Sequence, residues 1–310
     1  MSSRLRIGTR GSALARAQAT HVAALLGELD DGIEVEIVIL RVSGGEEGTG
    51  APGAAIDKSR WVDTIEQALS DERIDLAVHS AKDLPGGLGD RLALLGAPAR
   101  ADAADALCGA LSVDALPPGG RVGTSSLRRA AQMLAAREDL RVITLAGNVD
   151  TRLRRLDESA FDAIVLAHAG LQRLGLQARV GALLDTQRFV PAPGQGTIAL
   201  EGRAGDEHAR ELAGRITDTT AMACLLAERA VAHELGASCN TPLGAHAFPD
   251  GDGRVTLRAW VGLPDGSEWR GEELRGELCD PAALGSGLAE RLRATGATEL
   301  LKRAEEMSCG

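Results

Sequence analysis

A chain of 310 residues, 44% hydrophobic and 25% charged, is long enough for two or three globular domains and too apolar for a disordered or fibrous class. Its net charge of −10, with three Trp, three Phe and no Tyr, argues against nucleic-acid binding, which calls for a cationic surface and stacking rings. Five scattered cysteines without a C-x-x-C spacing argue against a disulfide framework or a metal site and suit a reducing cytoplasm. The stretch Met1 to Ile7 has no apolar signal core, and no apolar run reaches the roughly 20 residues of a membrane helix.

Leu5 to Gly8 reads as a short apolar strand, and Ser12 to Leu26 follows with helical spacing through Leu14, Val22, Leu25 and Leu26. The β-branched run Val35 to Val42 predicts a strand, residues 59–70 a helix, and Ile74 to Val78 a buried strand that ends at His79-Ser80. Past the turn at Pro85-Gly86-Gly87, a second strand–helix series begins near Ala97-Pro98, with strands at Val142 to Leu145 and Ala163 to Ala167. Such alternation implies parallel sheets covered by helices on both faces, with ligands at the carboxyl ends of the strands. The stretch Pro191 to Gly196 marks a crossing between lobes. From about Thr217 the pattern changes to a long helix reaching about Leu235. Strands at Val255 to Val261 and Glu268 to Leu274 then flank a Pro264-Asp265-Gly266 turn, and a last helix runs from Pro281 to about Thr295. The expected fold is α/β with three domains: residues 1–97 with 197–216, residues 98–196, and a small C-terminal α/β domain over 217–310.

Two strand-to-helix junctions, Gly8-Thr9-Arg10-Gly11-Ser12 and Gly123-Thr124-Ser125-Ser126-Leu127-Arg128-Arg129, put a capping hydroxyl and arginine beside free backbone N–H groups. One such loop is ordinary capping; two in similar lobes point to an anionic ligand. A third junction, His79-Ser80-Ala81-Lys82-Asp83-Leu84-Pro85, sets a carboxylate beside a cation after a buried strand, where it stays ionised and can stabilise positive charge. An isolated Lys-Asp of this kind is more commonly a surface ion pair. Cys239 sits in the Gly/Ser/Pro-rich loop Leu235 to Gly244, where a thiol is exposed or faces a cleft, whereas Cys224 lies on an apolar helix face and Cys309 on a tail; the default for any single loop cysteine is an inert small residue.

These segments, with Gly147-Asn148-Val149-Asp150-Thr151-Arg152-Leu153, Ala169-Gly170-Leu171-Gln172-Arg173-Leu174-Gly175 and Pro193-Gly194-Gln195-Gly196, resemble in order the porphobilinogen deaminase (hydroxymethylbilane synthase) family. The resemblance spans almost the whole chain and implies two doubly wound lobes like those of periplasmic solute-binding proteins, followed by a third domain. It implies a monomeric cytoplasmic transferase that condenses four porphobilinogen units head to tail, with loss of ammonia, on a covalent dipyrromethane primer. Carried over, Cys239 anchors that cofactor by a thioether and Asp83 is the catalytic residue, contacting pyrrole N–H groups and stabilising the azafulvene cation. Lys82, Ser126, Arg128, Arg129 and Arg152 then hold the cofactor's acetate and propionate groups, while Arg10, Ser12 and Arg173 bind incoming substrate.

The departures are local. Ile56-Asp57-Lys58-Ser59-Arg60-Trp61 lacks the glycines the family usually has there, and Ala146 and Ala104 stand where it usually has arginine. Fewer cations leave long, polyanionic intermediates less well held. Two other readings are a diverged paralogue condensing a different number or type of pyrroles, and a non-catalytic carboxylate-binding protein. Asp83 and Cys239 together count against the second.

Overall fold

The computed structural model describes residues 4–29, 32–41, 59–89, 91–237, 241–251 and 253–309. In chain order the first lobe supplies β1 (Arg4–Arg10), α1 (Ala13–Gly27), β2 (Glu34–Leu40), α2 (Ser59–Ser70), β3 (Leu76–Ser80) and β4 (Leu92–Gly96). Then come β5 (Asp105–Cys108), β6 (Arg121–Gly123), α3 (Leu127–Ala136), β7 (Arg141–Ile143), α4 (Val149–Asp157), β8 (Ala163–Ala167), α5 (His168–Arg173) and β9 (Ala182–Leu183). The rest is β10 (Ile198–Arg203), α6 (Glu207–Arg215), α7 (Thr219–Glu234), β11 (Leu243–Gly251), β12 (Arg254–Gly262), β13 (Trp269–Glu277), α8 (Pro281–Ala294) and α9 (Ala297–Cys309). Two compact units result, residues 1–101 with 197–222 and residues 102–196 with 223–310.

The first unit holds a five-stranded sheet in the order β2-β1-β3-β10-β4, and the second a sheet in the order β7-β6-β8-β5-β9. The two plans are the same. In each, the first strands are parallel and the fourth position is taken by a strand running against its neighbours, β10 in one and β5 in the other. This corrects the expectation of parallel sheets. Both antiparallel strands follow a change of unit in the chain, so no helix reverses the chain before them, which is what a parallel neighbour requires.

Burial follows the two-residue period of a strand covered on both faces. In β3, Leu76 and Val78 meet α1 and α6, while Ala77 turns to the cluster containing Ile65 and Leu69 of α2. In β8, Ala163 and Val165 share a core with Met133 of α3, and Ile164 and Leu166 share one with Leu153 of α4 and Leu171 of α5.

The third sheet, β11-β12-β13, is antiparallel and buries one face under α7, α8 and α9. Cys224 is buried there, on the apolar face expected of it. The chain beyond Thr295 is not a tail: α9 continues to Cys309, and Leu300, Leu301 and Ala304 enter the core. This sheet is tied to the rest of its unit. Trp260 packs with Ala131 and Val190, and Glu228 of α7, fully buried, accepts Gly194 N at 2.6 Å and Ala247 N at 2.7 Å. Among the described residues no helix is long and apolar enough to cross a membrane.

The expected Pro264-Asp265-Gly266 turn forms, closed by Gly266 N donating to Leu263 O at 2.9 Å. Gly266 has φ +73°, and a Cβ there would strike Ala135 N and lie 2.7 Å from Leu134 C at the end of α3. Gly266→Ala should therefore cost about 1–3 kcal/mol through overpacking and left-handed strain. The check is a lower urea midpoint at unchanged slope.

Candidate active site

In the first unit, β1 and β3 lie side by side in parallel, with Ile7 opposite Leu76 and Gly8 opposite Ala77. Their carboxyl ends bring four expected site residues to one edge. Arg10 closes β1, half-buried, and Ser12 caps α1 by accepting Ala15 N at 3.3 Å. Lys82 and Asp83, both half-buried, form a single 3-10 turn with Ala81 directly after β3. That turn is pinned: Ala81 N donates to Thr197 O at 3.0 Å, and Leu84 N to Ala81 O at 3.2 Å. Behind it, Gln18 Nε2 donates to Ser80 Oγ at 2.8 Å, and the buried His79 Nε2 lies 2.9 Å from Oε2 of the fully buried Glu201. These contacts hold the end of β3, and so the Asp83 backbone, from two sides.

In the second unit, Ser126 caps α3 as its sequence position suggests, accepting Arg129 N at 3.4 Å. Arg128 and Arg129, expected to face a ligand, are 3% and 6% exposed and converge on Asp105 at the start of β5. Arg128 Nη1 donates to Asp105 Oδ2 at 2.9 Å, to Gln132 Oε1 at 3.0 Å and to Val190 O at 2.9 Å. Arg129 reaches Asp105 Oδ1 through Nε at 2.9 Å and Nη2 at 2.7 Å, and Val165 O through Nη1 at 3.1 Å. Gln195 completes the cluster, donating to Asp105 Oδ1 at 2.8 Å and Ala103 O at 2.7 Å. Burial would push the Asp105 carboxyl up, but the Arg128 and Arg129 charges and hydrogen bonds outweigh it and hold the carboxyl far below the usual range.

Arg152, half-buried on α4, donates from Nε to Gly147 O at 2.7 Å; φ +111° at Gly147 shapes that loop and suits only glycine. Arg173, at the end of α5, donates to Gly196 O at 2.7 Å, and burial lowers its guanidinium to about 10. Thus Ser126, Arg128, Arg129, Arg152 and Arg173 all stand at the carboxyl ends of β6, β7 and β8. Cys239 lies outside the described residues, in the connection between α7 and β11, as do Ile56, Asp57 and Lys58 of the altered segment.

Sequence reasoning missed Asp105 and Gln195. The signal for Asp105 was a lone charge opening the apolar run Ala106-Leu107-Cys108, a position where a carboxylate must be paired. The residues present fit a cofactor carrying carboxylates. Arg128 Nε is buried without a hydrogen-bond acceptor among the described residues, and Arg173 bears the cost of burial that a carboxylate would relieve.

Two lobes of one plan, each with charged side chains at the carboxyl ends of its strands, define a two-lobed α/β protein. Residues 5–211 match the family model described as porphobilinogen deaminase, dipyromethane cofactor binding domain, and residues 222–294 match that of its C-terminal domain. A porphobilinogen deaminase of Acidithiobacillus ferrooxidans is 46% identical over 305 residues, which is 97% of this chain and 98% of that protein. One of Roseiflexus sp. is 44% identical over 303 residues, 97% of this chain and 99% of that protein. The solved methionine-binding protein MetQ aligns over 69% of this chain and 88% of its own, at 16% identity and TM-score 0.44. The chain belongs to the porphobilinogen deaminase family.

Asp105→Asn should destabilise the protein by about 3–5 kcal/mol, since it strips two buried guanidiniums of their counter-charge. Because the folded carboxyl is depressed, its contribution is full above the unfolded value of about 3.9 and is lost as pH falls below it. Thermal melts from pH 6 to pH 2 should show a steep acid loss in the parent and a shallower one in the Asn variant.

Proposed function

We propose that this chain is a working porphobilinogen deaminase that condenses four porphobilinogen units into hydroxymethylbilane. The observation that carries this reading is the match of residues 5–211 to the cofactor-binding family model. That stretch contains Arg10, Ser12, Lys82, Asp83, Ser126, Arg128, Arg129, Arg152 and Arg173, the charged and hydroxyl side chains the chemistry calls for. When bound through Cys239, a dipyrromethane supplies the pyrrole carbon from which the chain grows. Lys82, Ser126, Arg128, Arg129 and Arg152 hold its carboxylates, and Arg10, Ser12 and Arg173 receive those of incoming porphobilinogen.

Asp83 is the catalytic residue. Its carboxylate accepts the pyrrole N–H and stabilises the cation left on porphobilinogen when ammonia departs, and it takes up the proton released as the new carbon–carbon bond forms. A group of this kind works because it is fixed before the charge appears, and the pinned turn after β3 supports such a role. Each ring adds two carboxylates, so several cations are needed at the strand ends. Tethering the primer turns every later addition into a step at one site.

A division into three domains, over 1–97 with 197–216, 98–196 and 217–310, is supported by the three separate sheets, the last two of which lie in one compact unit. The net charge of −10 favours a small-molecule partner over nucleic acid, and the scattered thiols suit a cytoplasmic setting. The paralogue reading is favoured by Ala104, Ala146 and the altered segment Ile56 to Trp61.

Intact-mass spectra test the anchor. The parent should carry the mass of a dipyrromethane, Cys239→Ser should lack it, and Cys279→Ser should keep it; an unmodified parent after incubation with porphobilinogen defeats the reading. Asp83→Asn should load cofactor yet turn over about 10²–10³-fold more slowly, with an unchanged melting temperature.

A further inference from the structure

The carboxyl edge of the second unit's sheet carries one more ionisable pair, and the residues assigned above leave it without a task. His168 opens α5 directly after β8, and its ring Nδ1 lies 2.9 Å from Asp102 Oδ2. Its backbone N donates to Ala104 O at 3.1 Å, and the other carboxylate oxygen of Asp102 accepts Ala104 N at 2.8 Å. One carboxylate therefore grips both the imidazole and the backbone leading into β5. The His168 side chain is 13% exposed and that of Asp102 39%, so the pair sits at the surface of the edge and not in the core.

Chemistry follows from the orientation. An ionised carboxylate can only accept, so Nδ1 is the donor and the ring is held with Nε2 as its remaining hydrogen-bonding atom. Among the described residues no other hydrogen bond of this ring is present. With a proton on each ring nitrogen, the ring gives Nδ1–H to Asp102 and has Nε2–H left for a second carboxylate. The neighbourhood asks for such a group. Ala104, against which His168 sits, and Ala146 bring no charge to this edge, while Arg173, in the same short helix, pays for burial. Where rings arrive with two carboxylates each, a donor held in place there has a clear use.

We propose that His168, oriented by Asp102 and set beside Ala104, binds a carboxylate of the incoming or newly added pyrrole through Nε2. This rests on the porphobilinogen deaminase reading. Asp102 is a positioning residue, acting through the imidazole.

The test is steady-state kinetics on the cofactor-loaded enzyme, with loading read by intact mass. His168→Ala should raise KM for porphobilinogen about tenfold, the loss of one charge-assisted hydrogen bond, while kcat falls by much less. His168→Arg should bring KM back to within about threefold of the parent, because it again offers N–H donors to a carboxylate at that place. Asp102→Asn, which keeps its shape and frees the ring, should raise KM in the same direction and by less. If the pair were only a clamp between β5 and β8, the Ala variant would lose melting temperature and kcat together and the bulkier Arg would not rescue it; that pattern overturns the proposal. So does an Ala variant with the parent's KM. In both cases a parent that carries the adduct and consumes porphobilinogen leaves the proposed activity standing, whereas a parent that does neither removes that activity and this inference with it.

Discussion

The fully buried carboxylate of Asp105 is the constraint on which the second unit is built. It stands at the first residue of β5, the strand that runs against its neighbours, and takes hydrogen bonds from Arg128, Arg129 and Gln195. Those partners come from the start of α3 and from the loop ahead of β10, so one side chain ties a strand, a helix and an inter-lobe connection together. The arrangement also has an excess: two guanidiniums face one carboxylate, with neutral Gln132 and Gln195 as the other side-chain partners. A buried cluster with a surplus positive charge, at the end of the sheet where ligands of such folds bind, is pre-organised for anions in a medium of low dielectric.

The first unit meets the same requirement differently. Its edge places Arg10 and Ser12 after β1, and Lys82 and Asp83 after β3, with the fully buried Glu201 and His79 beneath. An Asp within a turn fastened by backbone hydrogen bonds on both sides keeps its position when charge develops nearby, which a longer loop would not ensure. The two lobes therefore share a strand plan and differ in how the carboxylate at the edge is set: Asp83 is half-buried in a short turn, whereas Asp105 is fully buried beneath two guanidiniums.

Legibility varied with the kind of element. β8, from Ala163 to Ala167, and the hairpin of β12 and β13 form as read, since a run of apolar residues or a Pro-Asp-Gly turn is a local signal. α7 and α8 end within a residue or two of the expected positions. α9 was missed because Ala297 to Cys309 has a charged face and takes its stability from Leu300, Leu301 and Ala304 entering a core that only the assembled domain provides. β10 was missed as an antiparallel strand because direction within a sheet is set by where the chain arrives from, which no local pattern encodes.

For the site, the sequence alone determined the family, through collinear motifs, and the identities of the charged side chains at the strand ends. Those are properties of short segments, each dictated by the turn it must make and the cap it must supply. Tertiary structure alone decided what those side chains spend their hydrogen bonds on. Arg128 and Arg129 look identical to any exposed pair until Asp105, more than twenty residues away in the chain, is folded against them. Likewise His168 and Asp102 are unremarkable 66 positions apart, and become a pair only because β5 and β8 lie side by side. Burial and counter-charge are relations between distant segments, and they exist only once the sheet has formed.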